Sequence, residues 1–177
     1  MSDAPTITAM VEALISVRRA KPDDASEIAA AHDAAWREAY RGLIPGRELE
    51  RMLSRRGAHW WSAAIARGTR VLVLDFDESV AGYVTYGRNR WSALPYDGEI
   101  FELYLVPEFL GVGLGRRLFQ AARRDLASSG LRSMVVWALA LNERALGFYR
   151  HMGGLCAGSA VELFGDEARE RVAFGFT

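Results

Sequence analysis

Apolar residues at Ile28, Ala31, Ala35 and Trp36 recur every three or four positions, the spacing that lays one helix face on a core. They predict a helix that starts from Asp23 and Asp24 as N-cap candidates, runs to about residue 40, and is ended by Gly42 and Pro45. Residues 47–66 repeat the helical pattern with a break near Gly57, whereas residues 15–20 alternate as a short strand does. Residues 69–75 and 79–86 are rich in Val, Leu and Tyr, and their junction at Asp77 and Glu78 predicts a β-hairpin. Residues 99–106 form a further strand that is mostly apolar yet holds Glu99 and Glu102, which period-two alternation sets on opposite faces. From residue 114, Leu118, Ala122 and Leu126 share one side of a helix with Arg116, Arg117, Arg123 and Arg124 on the others, ended by Ser128, Ser129 and Gly130. A buried strand over 131–139, a short helix from Asn142 to Tyr149 stopped by Gly153 and Gly154, and strands over 157–164 and 171–176 complete the chain.

This order of elements is that of a mixed α/β domain around one central sheet, with a parallel crossover from residue 99 to 139. The 177 residues suit one domain, here residues 15–177 behind a flexible tail at 1–14 in which Met10 is an alternative start. Lys plus Arg equals Asp plus Glu at 22 each, which speaks against a nucleic-acid binder built on a broad basic field and for a small-molecule partner. One cysteine, Cys156, leaves no disulfide framework and suits a reducing compartment; with no basic n-region and no long apolar run, a cytoplasmic protein without membrane attachment is expected. His32, His59 and His151 lack metal-ligand spacing, so no metal is expected.

The chemistry starts at Gly111, Val112, Gly113, Leu114 and Gly115, placed between a strand and a helix. Glycines permit a tight turn there, and the unpaired N–H groups of the helix start make an anion site. Arg116 stands where a dinucleotide fingerprint needs its third glycine, and the Gly-Lys-Ser/Thr of a P-loop is absent.

Strand, Pro107, glycine turn, helix, strand and Asn142-led helix together resemble the central motifs of the GNAT superfamily of N-acyltransferases over residues 99–154. The family's turn reads Arg or Gln, two residues, Gly, one residue, Gly or Ala; Leu110 departs from it at the first place, with Arg116 and Arg117 as compensating charge. The resemblance implies a single-domain fold with a mixed central sheet, splayed strands and flanking helices. It implies acetyl-CoA as co-substrate, its pantetheine arm along Leu105 and Val106, its pyrophosphate on Leu110 to Arg116, and Asn142 either touching the arm, capping a helix, or both.

Acetyl transfer from acetyl-CoA to a primary amine of a small molecule, amino acid or peptide, directly within a ternary complex, is the implied activity. A protonated amine resembles lysine, with a pKa of about 10.4, and needs its proton removed, which points to a carboxylate or a water relay. Glu99 matches a position that is the base in some family members, Glu102 is the alternative, and Tyr149 stands where the family often has its acid; the plain alternatives are a solvated strand end for Glu99 and core packing for Tyr149. Trp36 and Tyr40 resemble acceptor-side residues, while Trp60, Trp61 and Trp91 suit either a pocket or a core. A non-catalytic acyl-CoA-binding module and a transferase of longer acyl groups stay as alternatives, and a homodimer is common in the family.

Overall fold

Val71 and Val73 turn to one core and Leu72 and Leu74 to another, so strand β2 (Arg70–Phe76) is buried on both faces and helices must cover each. The computed structural model describes residues 14–177; residues 1–13, with the alternative start at Met10, lie outside the described residues. β1 (Ile15–Arg19), β2, β3 (Ser79–Arg88), β4 (Gly98–Leu105), β5 (Met134–Leu139), β6 (Leu155–Phe164) and β7 (Glu167–Phe176) form one seven-stranded sheet in the order β1-β2-β3-β4-β5-β7-β6. Every neighbouring pair is antiparallel except β4 and β5.

Three helices, α1 (Ala25–Tyr40), α2 (Gly46–Ser54) and α3 (Ala58–Ala66), cover the face that carries Val71, Val73 and Tyr83. Two more, α4 (Leu114–Ser128) and α5 (Glu143–His151), cover the face of Leu72, Leu74 and Ile100. The fully buried Leu118, Phe119, Ala122 and Leu126 confirm the amphipathic face of α4. Asp77 and Glu78 both adopt positive φ (49° and 64°), the left-handed pair that a two-residue hairpin matching the sheet's twist requires. Among the described residues no helix is long and apolar enough to cross a membrane.

Four local expectations change. Asp24 does not cap α1 through its side chain; it accepts from the N–H of Lys21 at 2.6 Å and pairs with Arg18 at 2.8 Å, tying β1 to the turn before the helix. The strand expected from residue 131 begins at Met134, and the closing hairpin is longer than its hydrophobic pattern because β6 and β7 also pair through exposed positions. Glu99 and Glu102 lie on the same face of β4, not on opposite ones. The β3–β4 register slips between Thr85 and Tyr86, so Glu102 pairs with Thr85 and Ile100 with Tyr86, leaving Phe101 as an extra bulged residue that reverses the alternation.

Candidate active site

The bulge coincides with a fork in the sheet. β4 and β5 pair only from Gly98 to Ile100 and from Met134 to Val136; beyond Phe101 the two strands part. A bulge bends and twists its strand, and this one, in the β3–β4 ladder, lies at the residue where the pairing of β4 with β5 ends. Val106 donates its N–H to the carbonyl of Ala81 across β3 at 2.9 Å, so the alternation of backbone direction turns the N–H and C=O groups of Leu103 and Leu105 toward the gap. Of the two residues expected to meet an inserted chain, Leu105 is therefore available through its backbone, while the N–H of Val106 is already used; Leu103 takes its place.

After β4 the chain makes a short 3₁₀ turn (Pro107–Phe109) and enters the glycine turn, where Gly111 and Gly113 have φ of 78° and 85°. Gly113 is the N-cap of α4, and the first N–H groups of that helix have no intrahelical acceptor. Gly115 keeps the helix start close to α5, since a Cβ there would lie 3.3 Å from the Phe148 ring. Leu110 packs against the large core, so the turn is ordered by apolar contact where the family pattern has a polar side chain. Leu114 is buried in the same core, and Val112 points outward.

A cavity of about 600 Å³ joins the turn to the fork. Gly111, Gly113, Gly115 and Arg116 line one end, Leu103, Tyr104 and Leu105 its floor, and Asn142, Phe148 and Tyr149 its α5 wall. Asn142 caps α5, its side-chain oxygen accepting the N–H of Ala145 at 3.1 Å. Tyr149 is 5 % exposed, and burial first, with Tyr40 nearby, raises its pKa above the ordinary phenol value. The hydroxyls of Tyr40 and Tyr104 hydrogen-bond to each other, and burial pushes Tyr40 up to about 12. Phenolic O–H groups from α1, β4 and α5 thus converge beside backbone groups at a gap between strands.

The sequence model of the Acetyltransferase (GNAT) family matches residues 28–153, which contain the turn, the fork and α5. The chain belongs to this family. The uncharacterized N-acetyltransferase YuaI of Bacillus subtilis is 29% identical over 157 residues, covering 89% of this chain and 90% of that protein. The fold is shared with the PaiA N-acetyltransferase of Thermoplasma acidophilum, solved in complex with coenzyme A (TM-score 0.70, 17% identity, 89% of this chain and 97% of that one). It is also shared with YncA of Salmonella typhimurium, solved with its cofactor acetyl-CoA (TM-score 0.65, 18% identity, 92% of each chain).

Within this GNAT domain the remaining expected site residues fall in three places. Trp36 is buried among Ile44, Leu53 and Leu139, with its ring centroid 5.1 Å from that of Tyr40 and 5.8 Å from that of Tyr104, so it backs the hydroxyl pair. Glu102 lies behind Tyr104, where it accepts from Arg56 at 2.6 Å and from the Tyr83 hydroxyl at 3.1 Å. Glu99 is 1 % exposed, is not among the cavity-lining residues, and is held by Arg90 at 2.7 Å. Its carboxylate is occupied, so the expected base does not open onto the cleft. Trp61 is fully buried in the core, and Trp60 lies under the guanidinium of Arg56 at 4.2 Å. Sequence reading missed Tyr104 and Arg90. Tyr104 was legible as a strand neighbour of Leu105, but its partner Tyr40 is 64 residues away in the chain.

Proposed function

We propose that this acyltransferase moves the acetyl group of acetyl-CoA to a primary amine, directly within a ternary complex. The observation that carries the reading is the single cavity in which the N-terminus of α4, the unpaired strand edge at Leu103 and Leu105, and the Tyr149 side chain meet. The helix N-terminus and Arg116 suit a pyrophosphate, and the strand edge suits the amide groups of a pantetheine arm. Asn142 offers its amide to the same arm while its oxygen caps α5.

In the reaction the amine nitrogen attacks the acetyl carbonyl carbon, the N–C bond forms, and the C–S bond breaks with its electron pair leaving on sulfur. Backbone N–H groups at the fork suit the oxyanion. Tyr149 keeps its proton at neutral pH and donates it toward sulfur. The thiolate of a thiol of about pKa 8.5 is a weaker base than a buried phenolate, so complete loss of the Tyr149 proton is uphill. The surplus proton on nitrogen must return through water to the phenol as it gives its own away. The Tyr40–Tyr104 pair borders the route for that water.

Release of free thiol from acetyl-CoA across a panel of amines, together with calorimetric CoA binding, tests this reading. Binding without turnover on any amine leaves the acyl-CoA-binding module or a transferase of longer acyl groups, and no binding at all overturns every one of these readings. A narrower test is Gly113→Val. Left-handed backbone costs a residue with a Cβ about 1–2 kcal/mol, so the turn shifts and the CoA Kd is expected to rise about 10-fold by calorimetry. An unchanged Kd removes the turn from the cofactor site.

A further inference from the structure

Residues 89–97 join β3 to β4, and Asn89 gives them a fixed shape. Its side-chain nitrogen reaches the carbonyls of Trp91, Leu94 and Tyr96 at 3.0, 2.9 and 3.0 Å, and its oxygen accepts the N–H of Trp91 at 2.9 Å. Tyr96 lies directly on β7 at Gly175, where a Cβ would overlap its ring. The loop therefore folds back over the sheet. It does so on the face of α1–α3, because Arg171, which Trp91 covers, pairs with Leu139, and Leu139 packs with Trp36 and Tyr40.

Two consecutive loop residues sit over the two sides of the fork. The Arg90 guanidinium is 4.1 Å from the ring centroid of Phe101, the bulged residue at which β4 leaves β5. The Trp91 ring is 5.3 Å from that of Trp137, the first residue of β5 beyond the paired segment, and the Arg171 guanidinium rests against both indoles at 4.3 and 4.6 Å. Glu99 locks this arrangement from below. Its Oε2 accepts the backbone N–H of Arg90 at 3.0 Å and the Nε–H at 3.1 Å, and its Oε1 accepts from Nη2 at 2.7 Å. One buried carboxylate thus fixes both the backbone and the head of the residue beside Trp91, while Trp91 itself stays 37 % exposed.

The fork can be approached from two faces, and the glycine turn, α4 and α5 occupy one of them. An amine arriving from the other passes between this roof and α1. We propose that Glu99 is a positioning residue: through Arg90 it holds the 89–97 loop over the fork, so that Trp91 forms a wall of the acceptor's path and governs which amines fit. The inference rests on the fork being the site of transfer. It gives a buried carboxylate at the expected base position a different task, one performed on the loop and not on the substrate's proton.

Arg90→Gln and Glu99→Gln break the clamp from its two ends, the second by turning an amide NH₂ toward guanidinium donors. The Arg90 side chain is 61% exposed, so Arg90→Gln removes no packed core side chain, and the backbone N–H at position 90 still donates to Glu99. With the fastest amine of the panel as probe, each variant is expected to raise the acceptor KM about 10-fold with kcat within about 3-fold, the split that loss of acceptor placement produces. The acetyl-CoA Kd and the pH profile of kcat stay at wild-type values, and the double variant is no worse than either single one. A 100-fold or larger loss of kcat and an altered pH profile in Glu99→Gln alone, with Arg90→Gln like wild type, overturns the proposal and makes Glu99 the base. If Glu99→Gln does not fold, Arg90→Gln carries the comparison by itself, and a wild-type KM overturns the proposal. If the wild type acetylates no amine, the functional reading fails separately, and near-UV circular dichroism decides the clamp: a matching change in the tryptophan bands of both variants supports it, and unchanged spectra overturn it.

Discussion

Tyr149→Phe is expected to lower kcat by about 10²- to 10³-fold while leaving the acetyl-CoA Kd within about 2-fold, because a proton donor in the transition state contributes on that scale and the ring's packing survives the change. The ring stays wedged against Phe119, Phe148 and Phe174, so only the hydroxyl is lost. The pH dependence separates this role from others. Burial raises the pKa of Tyr149, so the phenol remains protonated through the range in which an amine of pKa about 10.4 gains its free form. Wild-type kcat/KM should therefore climb with pH from 7 to 9 with no fall caused by Tyr149, and the variant should trace a parallel line below it. Equal turnover in wild type and Tyr149→Phe by thiol release removes the residue from the chemistry, and the phenol is then a core tyrosine that happens to border the cavity.

That test matters because Tyr149 was readable in the sequence as a residue type at a spacing, two turns after the cap at Asn142, and the structure supplies its surroundings. The helices and strands were legible for the same reason: hydrophobic periods of 3.6 and 2 depend only on near neighbours. Both departures at the site arise from what a period does not hold. Glu99 and Glu102 looked opposed because alternation was carried through Phe101, where the β3–β4 register slips by one residue. The partner of Glu99 sits nine residues upstream in a loop whose shape depends on a single asparagine, and no pattern of types announces that contact. Leu110 was the reverse case. It looked like a defect in an anion-binding turn, and its packing on the core shows that a loop can be ordered by apolar contact as well as by a polar side chain.

Acid is expected to destabilise this fold well before its carboxylates titrate, and His32 is the reason. The imidazole is fully buried, and its Nδ1 lies 2.7 Å from the Tyr83 hydroxyl, which gives its own proton to Glu102. His32 must therefore donate from Nδ1, and in the neutral ring Nε2 is an acceptor with no partner. Burial first, and the positive Arg56 second, lower its pKa from 6.5 to about 3. A depressed histidine stays neutral in the folded chain while the unfolded chain takes up a proton below pH 6.5. The stability it contributes is complete above that pH and is lost as the pH falls toward 3, at about 1.4 kcal/mol per pH unit. By pH 5 the loss is about 2 kcal/mol, a substantial part of the 5–15 kcal/mol that holds an ordinary domain together. Urea unfolding at pH 7, 6 and 5 should show it. His32→Gln should begin less stable and lose about one proton's worth less on acidification; a wild-type free energy flat between pH 7 and 5 contradicts the assignment. The same ring fixes where the kinetics can be read. Tyr83 pairs with Tyr104 on one sheet face and Tyr104 bonds to Tyr40, so acid that charges His32 disturbs the floor of the cleft as well as the fold. In the folded chain the ring stays neutral until the pH nears 3, so that floor is constant across the range in which rates are measured, and the climb of rate with pH belongs to the amine.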